Sequence, residues 1–123
     1  MIQELIDNVR QWGVDKEITG PNGKGTLLGQ LNKSQEELTE TRDAASIIVF
    51  LMHLERLGFT VDLRIAEQRL YFKDGIGDTT VTLILAAEMA GLRFEDCLQA
   101  AYDEIKGRKG KMVEGVFVKE VAP

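Results

Sequence analysis

The chain has 123 residues, 44% of them apolar and 28% charged, which points to one globular domain with room for a core but not for two comfortable ones. Its net charge of -5 speaks against general nucleic-acid affinity, which needs a dominant basic field. No apolar segment approaches the roughly 18 residues that span a bilayer, so no membrane partner is expected. One cysteine, Cys97, permits no internal disulfide. The start, Met1-Ile2-Gln3-Glu4, lacks the basic segment and apolar run of a secretory signal, so a cytoplasmic protein is expected.

In residues 1–13, Ile2, Leu5, Ile6, Val9 and Trp12 recur at intervals of three and four, the mark of a short amphipathic helix, here ending at Gly13. The following "GVDKEITGPNGKGT" is dense in Gly, Pro and Asn and reads as a loop. Its segment "GPNGKGT", residues 20–26, distantly resembles a phosphate-binding P-loop. That motif needs a Gly, four residues and Gly-Lys-Ser/Thr between a strand and a helix. Here Gly25 follows Lys24, the spacing is short and no strand precedes, so a solvated turn is expected.

From about Leu27 to Leu57 the pattern is helical, with Glu37, Glu40, Ala44, Ile47, Leu51 and Leu54 at steps of 3, 4, 3, 4 and 3 forming one seam. Asp62 is a plausible N-cap for a third helix running to Gly91. "FEDCLQAAYDEIKGR" makes a fourth, with Phe94, Leu98, Ala101 and Ile105 on one side. "MVEGVFVKEVAP" alternates weakly and reads as a short extended tail. The expectation is an all-α four-helix bundle with a short extended C-terminal tail, a single domain over residues 1–123.

The third helix contains "YFKDGIGDTTVTLI", residues 71–84, which could be a glycine loop around an ion or part of the helix. Read as helix, Asp74, Asp78, Val81 and Leu85 step by 4, 3 and 4, so the aspartates continue the apolar seam. Glu37 and Glu40 likewise head the seam of the second helix, with Glu36 one turn from Glu40 on its flank. Gathering such carboxylates without a cation is unfavourable, because like charges raise one another's pKa and resist burial. A hard divalent cation, Mg²⁺ with Mn²⁺ able to substitute, resolves the conflict, and inward-facing acids on paired helices are a way bundles hold metals. Gly75 and Gly77 each cost a helix about 1 kcal/mol relative to Ala; close approach of a ligand or a neighbouring helix would explain them.

These residues resemble the MazG-like family of all-α nucleoside triphosphate pyrophosphohydrolases, especially the short members common in phages. The family pairs a Glu-Glu-x-x-Glu helix with a later Glu-x-x-Asp helix. The first stands here as Glu36-Glu37-Leu38-Thr39-Glu40, preceded by Lys33 at "KxxEE" spacing; the second stands as Gly75-Ile76-Gly77-Asp78, with Gly75 where a glutamate is expected. "VRQW", "GDTTVTLI" and "CLQAAYDEIKGRKGKMVEGVFVKE" extend the likeness over nearly the whole chain, residues 55–72 least. Where relatives commonly carry Asn-x-x-Lys, this chain has Asp103-Glu104-Ile105-Lys106.

The resemblance implies Mg²⁺-dependent hydrolysis of a nucleoside triphosphate to monophosphate and pyrophosphate. Glu36, Glu37, Glu40, Asp74 and Asp78 are the expected metal ligands, Asp74 standing in for the missing glutamate. Glu37 or Glu40 is the expected catalytic group, orienting or deprotonating the attacking water. Lys33, Lys106, Arg108, Lys109 (with Lys111 beside them) would face the phosphates, and Trp12 would stack on the base. Restoring the family residue by Gly75→Glu is expected to recover activity lost in Asp74→Asn. The exposed apolar seams imply a homodimer or homotetramer with sites near the interface. Two alternatives remain open: a degenerate relative that senses nucleotides or alarmones without turnover, favoured by Gly75, and a helical adaptor that binds no metal. If phage-encoded, the protein would work in the host cytoplasm.

Overall fold

The helical periodicities of the sequence become four helices in the computed structural model, which describes residues 1–121. They are α1 (Ile2–Asp15), α2 (Leu27–Arg56), α3 (Asp62–Met89) and α4 (Phe94–Ile105). Two short strands, β1 (Gly110–Val113) and β2 (Val116–Lys119), follow as an antiparallel hairpin. The chain is all-α apart from that hairpin, as expected. No single helix is long and apolar enough to cross a membrane.

The frame is the long antiparallel pair α2 and α3. Small residues at their contact let the backbones come close. Ser34 and Thr82 share a buried hydrogen bond of 2.6 Å, Gly75 lies against Thr41, and at the turn end Leu51 packs with Val61 and Ile65. Thr26 starts α2 by accepting a hydrogen bond from the Gly29 amide at 3.0 Å, satisfying one of the free N–H groups of the first turn.

Gly13 does not end α1, which continues to Asp15. It is buried where α1 crosses α3: a Cβ there would lie 2.5 Å from Leu85 Cδ2, and Leu85 is the one large side chain fully buried among the described residues. The missing side chain is a packing contact, which overrides glycine's role as a helix stop. Asp62 also departs from expectation. It is the first residue of α3, the N-cap being Val61, with no side-chain cap bond; its charge still suits the positive end of the helix.

Arg10 of α1 holds the short helices together. Its Nη1 and Nη2 each donate to the Glu95 carboxylate of α4 at 2.7 Å, Asp7 is a further partner, and its Nε lies 3.6 Å from Glu88 of α3. The Glu95 hydrogen bond is the main cause raising the Arg10 pKa. The Arg10 guanidinium and then the Gln3 amide hold the Glu95 carboxyl well below the usual carboxylate range.

The C-terminal stretch is a hairpin where an extended tail was expected. Glu114 and Gly115 occupy its turn with φ of 49° and 80°, the left-handed pair of a type I′ turn. Glutamate is an unusual first residue for such a turn, which is why the sequence pattern did not announce it. Ala122 and Pro123, the end of the expected tail, lie outside the described residues. Beyond its root at the end of α4 the hairpin packs on no helix among the described residues. Much apolar surface stays uncovered elsewhere too: Val49 and Phe50 of α2, Leu63 and Leu70 of α3, and the Leu98 and Ile105 positions of the α4 seam are all exposed.

Candidate functional site

Where α2 and α3 run past each other, their acids face one groove. Glu37, Glu40 and Asp43 from α2 and Asp74 and Asp78 from α3 line a cavity of about 450 Å³, with Ala44, Ile47, Gln68, Tyr71 and Gly75 completing its wall. Helical spacing explains the set. Glu37, Glu40, Ala44 and Ile47 step by 3, 4 and 3, as do Gln68, Tyr71, Gly75 and Asp78, so each series lies on one helix face. Because the helices are antiparallel, the two series meet rung against rung. Asp43 and Asp74 each sit beside a seam residue, about 100° around the helix axis. Asp74 and Asp78 are solvent-exposed on the cavity wall, not buried within the apolar seam as their spacing implied.

Glu37 and Asp78 also line a second cavity of about 640 Å³. Its other walls include Trp12, Ile18, Thr26, Lys33, Val81 and Leu85. The two carboxylates therefore divide an acidic compartment from one that is largely apolar and carries an aromatic ring and an ammonium. Trp12 is 45% exposed, available to that compartment.

The loop between α1 and α2 reaches the site through Ile18, Gly25 and Thr26, which form part of the second cavity's wall. Its amides are turned inward: Gly23 N–H donates to Gly20 O at 3.0 Å, Lys24 N–H to Glu17 O at 2.8 Å and Gly25 N–H to Ile18 O at 3.0 Å. A phosphate cradle needs such amides free and convergent; here they are spent on the loop itself.

Lys33 Nζ lies 3.2 Å from Glu37 and 3.6 Å from Glu36. The hydrogen bond to Glu37 is the main cause of its raised pKa. The two glutamates differ in setting: the Glu37 side chain is 12% exposed and Glu36 is 61% exposed. Glu36 lines neither cavity, so the geometry does not bring it to the other four expected ligands.

Gly75 is buried against α2. A Cβ there would overlap Thr41 Oγ1 and come within 2.9 Å of Thr41 Cβ. Thr41 Oγ1 is itself fixed, donating to the Glu37 carbonyl at 2.7 Å. The space that a glutamate side chain would leave from is thus filled by Thr41, so Gly75→Glu would first have to displace Thr41 or move α3 away from α2. Asp74, on the open side, reaches the cavity without that conflict.

The basic cluster lies apart. Arg108 and Lys109 line a separate cavity of about 520 Å³ with Glu104, Lys119 and Glu120. Lys106 pairs with Asp103 at 3.1 Å and Arg108 with Glu104 at 3.6 Å. Within one chain none of Lys106, Arg108, Lys109 or Lys111 borders the carboxylate cavities, so the expected phosphate contacts are not assembled by a single copy.

Sequence reasoning missed three wall residues of the acidic cavity: Asp43, Gln68 and Tyr71. The signal was present, since Asp43 follows Glu40 by three and Gln68, Tyr71 and Asp78 share one helical face. The donor set is all oxygen, the chemistry of a hard cation and not of a soft one. Among the described residues no three His, Cys, Asp or Glu side chains converge closely enough to hold a metal. The acids line one cavity without such a convergence. Compared with models of protein families, with curated proteins and with solved structures, the chain matches none.

Proposed function

We propose that the protein is a Mg²⁺-dependent nucleoside triphosphate pyrophosphohydrolase of the MazG-like kind, releasing a nucleoside monophosphate and pyrophosphate. One observation carries the reading. Glu37 and Asp78, on different helices, border both an acidic cavity and an adjoining apolar one holding Trp12 and Lys33. A triphosphate needs metal-charged oxygens beside a place for its base, and that juxtaposition provides for both.

In this reading Glu37, Glu40, Asp74 and Asp78, which line one cavity with Asp43, would hold the ion. When bound, Mg²⁺, or Mn²⁺ in its place, neutralises and polarises the phosphate. Glu40 or Glu37 accepts the proton of the attacking water. Lys33, paired with Glu37 and Glu36 in this structure, would turn to face a phosphate oxygen. Trp12 and Val81 offer the base an apolar surface, where ring stacking contributes about 1–3 kcal/mol. The uncovered apolar faces of α2 and α3 support a homodimer or homotetramer.

Pyrophosphate release from a panel of ribo- and deoxyribonucleoside triphosphates with Mg²⁺ tests the reading; no release from any of them refutes it. Gly75, packed on Thr41 where the resemblance expects a glutamate, favours one second reading, a nucleotide-binding module without turnover. Tight nucleotide binding with no product in Mg²⁺ or Mn²⁺ would single it out.

A further inference from the structure

The hairpin is built to be covered, and among the described residues nothing of its own chain covers it. Directly opposed residues of an antiparallel pair share a face, so Met112 and Phe117 lie on one side and Val113 and Val116 on the other. All four are exposed. Phe117 folds over Gly110, where a Cβ would lie 2.7 Å from its Cζ, yet its ring remains 49% exposed. A lone two-stranded hairpin is marginal in water and needs further strands or a packing surface.

Charge narrows what that surface is. The hairpin and its root carry Lys109, Lys111 and Lys119 against Glu114 and Glu120, and those three lysines form none of the ion pairs seen among the described residues. This excess of lysine is matched better by an acidic surface than by a second hairpin of the same net charge. The groove between α2 and α3 has the opposite character: carboxylates of Glu37, Glu40, Asp43 and Asp74 set beside the apolar Ile47 and the Tyr71 ring. Apolar strands with lysines at their root match an acidic groove with an apolar wall.

We propose that the hairpin is an intermolecular arm: residues 109–119 of one copy dock on the α2–α3 groove of a second copy, placing Lys109 and Lys111 at the edge of the carboxylate cavity. The arm keeps its cations from the acids of its own chain and delivers them to those of the partner. Its catalytic consequence rests on the function proposed above, because each site would then take its metal-holding acids from one copy and its phosphate-facing lysines from the other. The docking itself does not depend on that reading.

Cross-linking between two distinguishable full-length chains tests the docking, both in a Cys97→Ser background. One chain carries Asp43→Cys and a size tag; the other carries Val113→Cys or Met112→Cys, one for each hairpin face. A short bis-maleimide is expected to give a product of mixed mass from the Asp43→Cys chain with at least one hairpin variant. Absence of the mixed product with both variants, or hairpin-to-hairpin products alone, overturns the proposal. A complementation assay tests the shared site. Lys109→Ala/Lys111→Ala and Glu37→Gln chains are each expected to lose at least about tenfold in turnover, and their mixture to regain about one intact site per mixed dimer. No regain despite the cross-link overturns the shared-site half. If the parent chain itself releases no pyrophosphate, the proposed function fails, while the cross-link still decides the docking.

Discussion

Gly75 and Thr41 form a matched pair, one giving the space that the other fills. Gly75→Ala therefore forces α3 away from α2. Overpacking of this kind costs about 1–3 kcal/mol, against which the better helix propensity of alanine returns about 1 kcal/mol. A net loss of roughly 1 kcal/mol is expected in urea or thermal melts, and Thr41→Ala should recover part of it because the nearest clash is with Oγ1; additive losses would show that the two residues do not meet. Asp78 is exposed on the cavity wall, so Asp78→Asn should leave the melting temperature equal or slightly higher while abolishing turnover. Asp74→Asn is the sharper substitution. Full retained activity with unchanged Mg²⁺ dependence would make Asp74 a bystander. At this scale the candidate acids were legible, because spacing along a helix fixes which residues share a face. The reason for Gly75 was not, since it depends on the residue opposite on another helix.

Among the elements, α1 and α4 are joined to each other by the ion pair of Arg10 and Glu95. Glu95 titrates well below the ordinary carboxylate value, so its contribution to stability is fully present above the unfolded-state value of about 4.3 and fades as pH falls through the lowered folded value. The Arg10 pKa is raised from an already high value, so its loss lies beyond the alkaline range that a melt can reach. Glu95→Gln is thus expected to lower stability at pH 7 and to flatten the acid limb between about pH 4 and pH 2. Thermal melts across that range check it; an unchanged acid limb would mean the cluster does not hold the helices. The four helices were legible from their periodicity, to within about three residues at most ends. The hairpin was not, because its turn uses Glu114 where asparagine or aspartate would have announced it. Nor could periodicity reveal that Gly13 is a crossing point, since that depends on Leu85 from the third helix.

For the whole molecule, exposed apolar faces on α2, α3, α4 and the hairpin predict self-association. Sedimentation at micromolar concentration should give an even number of copies, and a monomer would contradict the assembly and the arm together. Removing residues 110–121 should weaken that association while leaving the helical circular dichroism signal nearly unchanged, because among the described residues the hairpin packs on no helix. What the whole assembly does turns on the pair of cavities that meet at Glu37 and Asp78. The most direct measurement is product analysis of each nucleoside triphosphate with the purified chain, with Mg²⁺ and with a chelator. The account predicts equal amounts of monophosphate and pyrophosphate from at least one substrate, only with the metal, and none from Asp78→Asn. Products that include inorganic phosphate and the diphosphate, or no product at all, would contradict it.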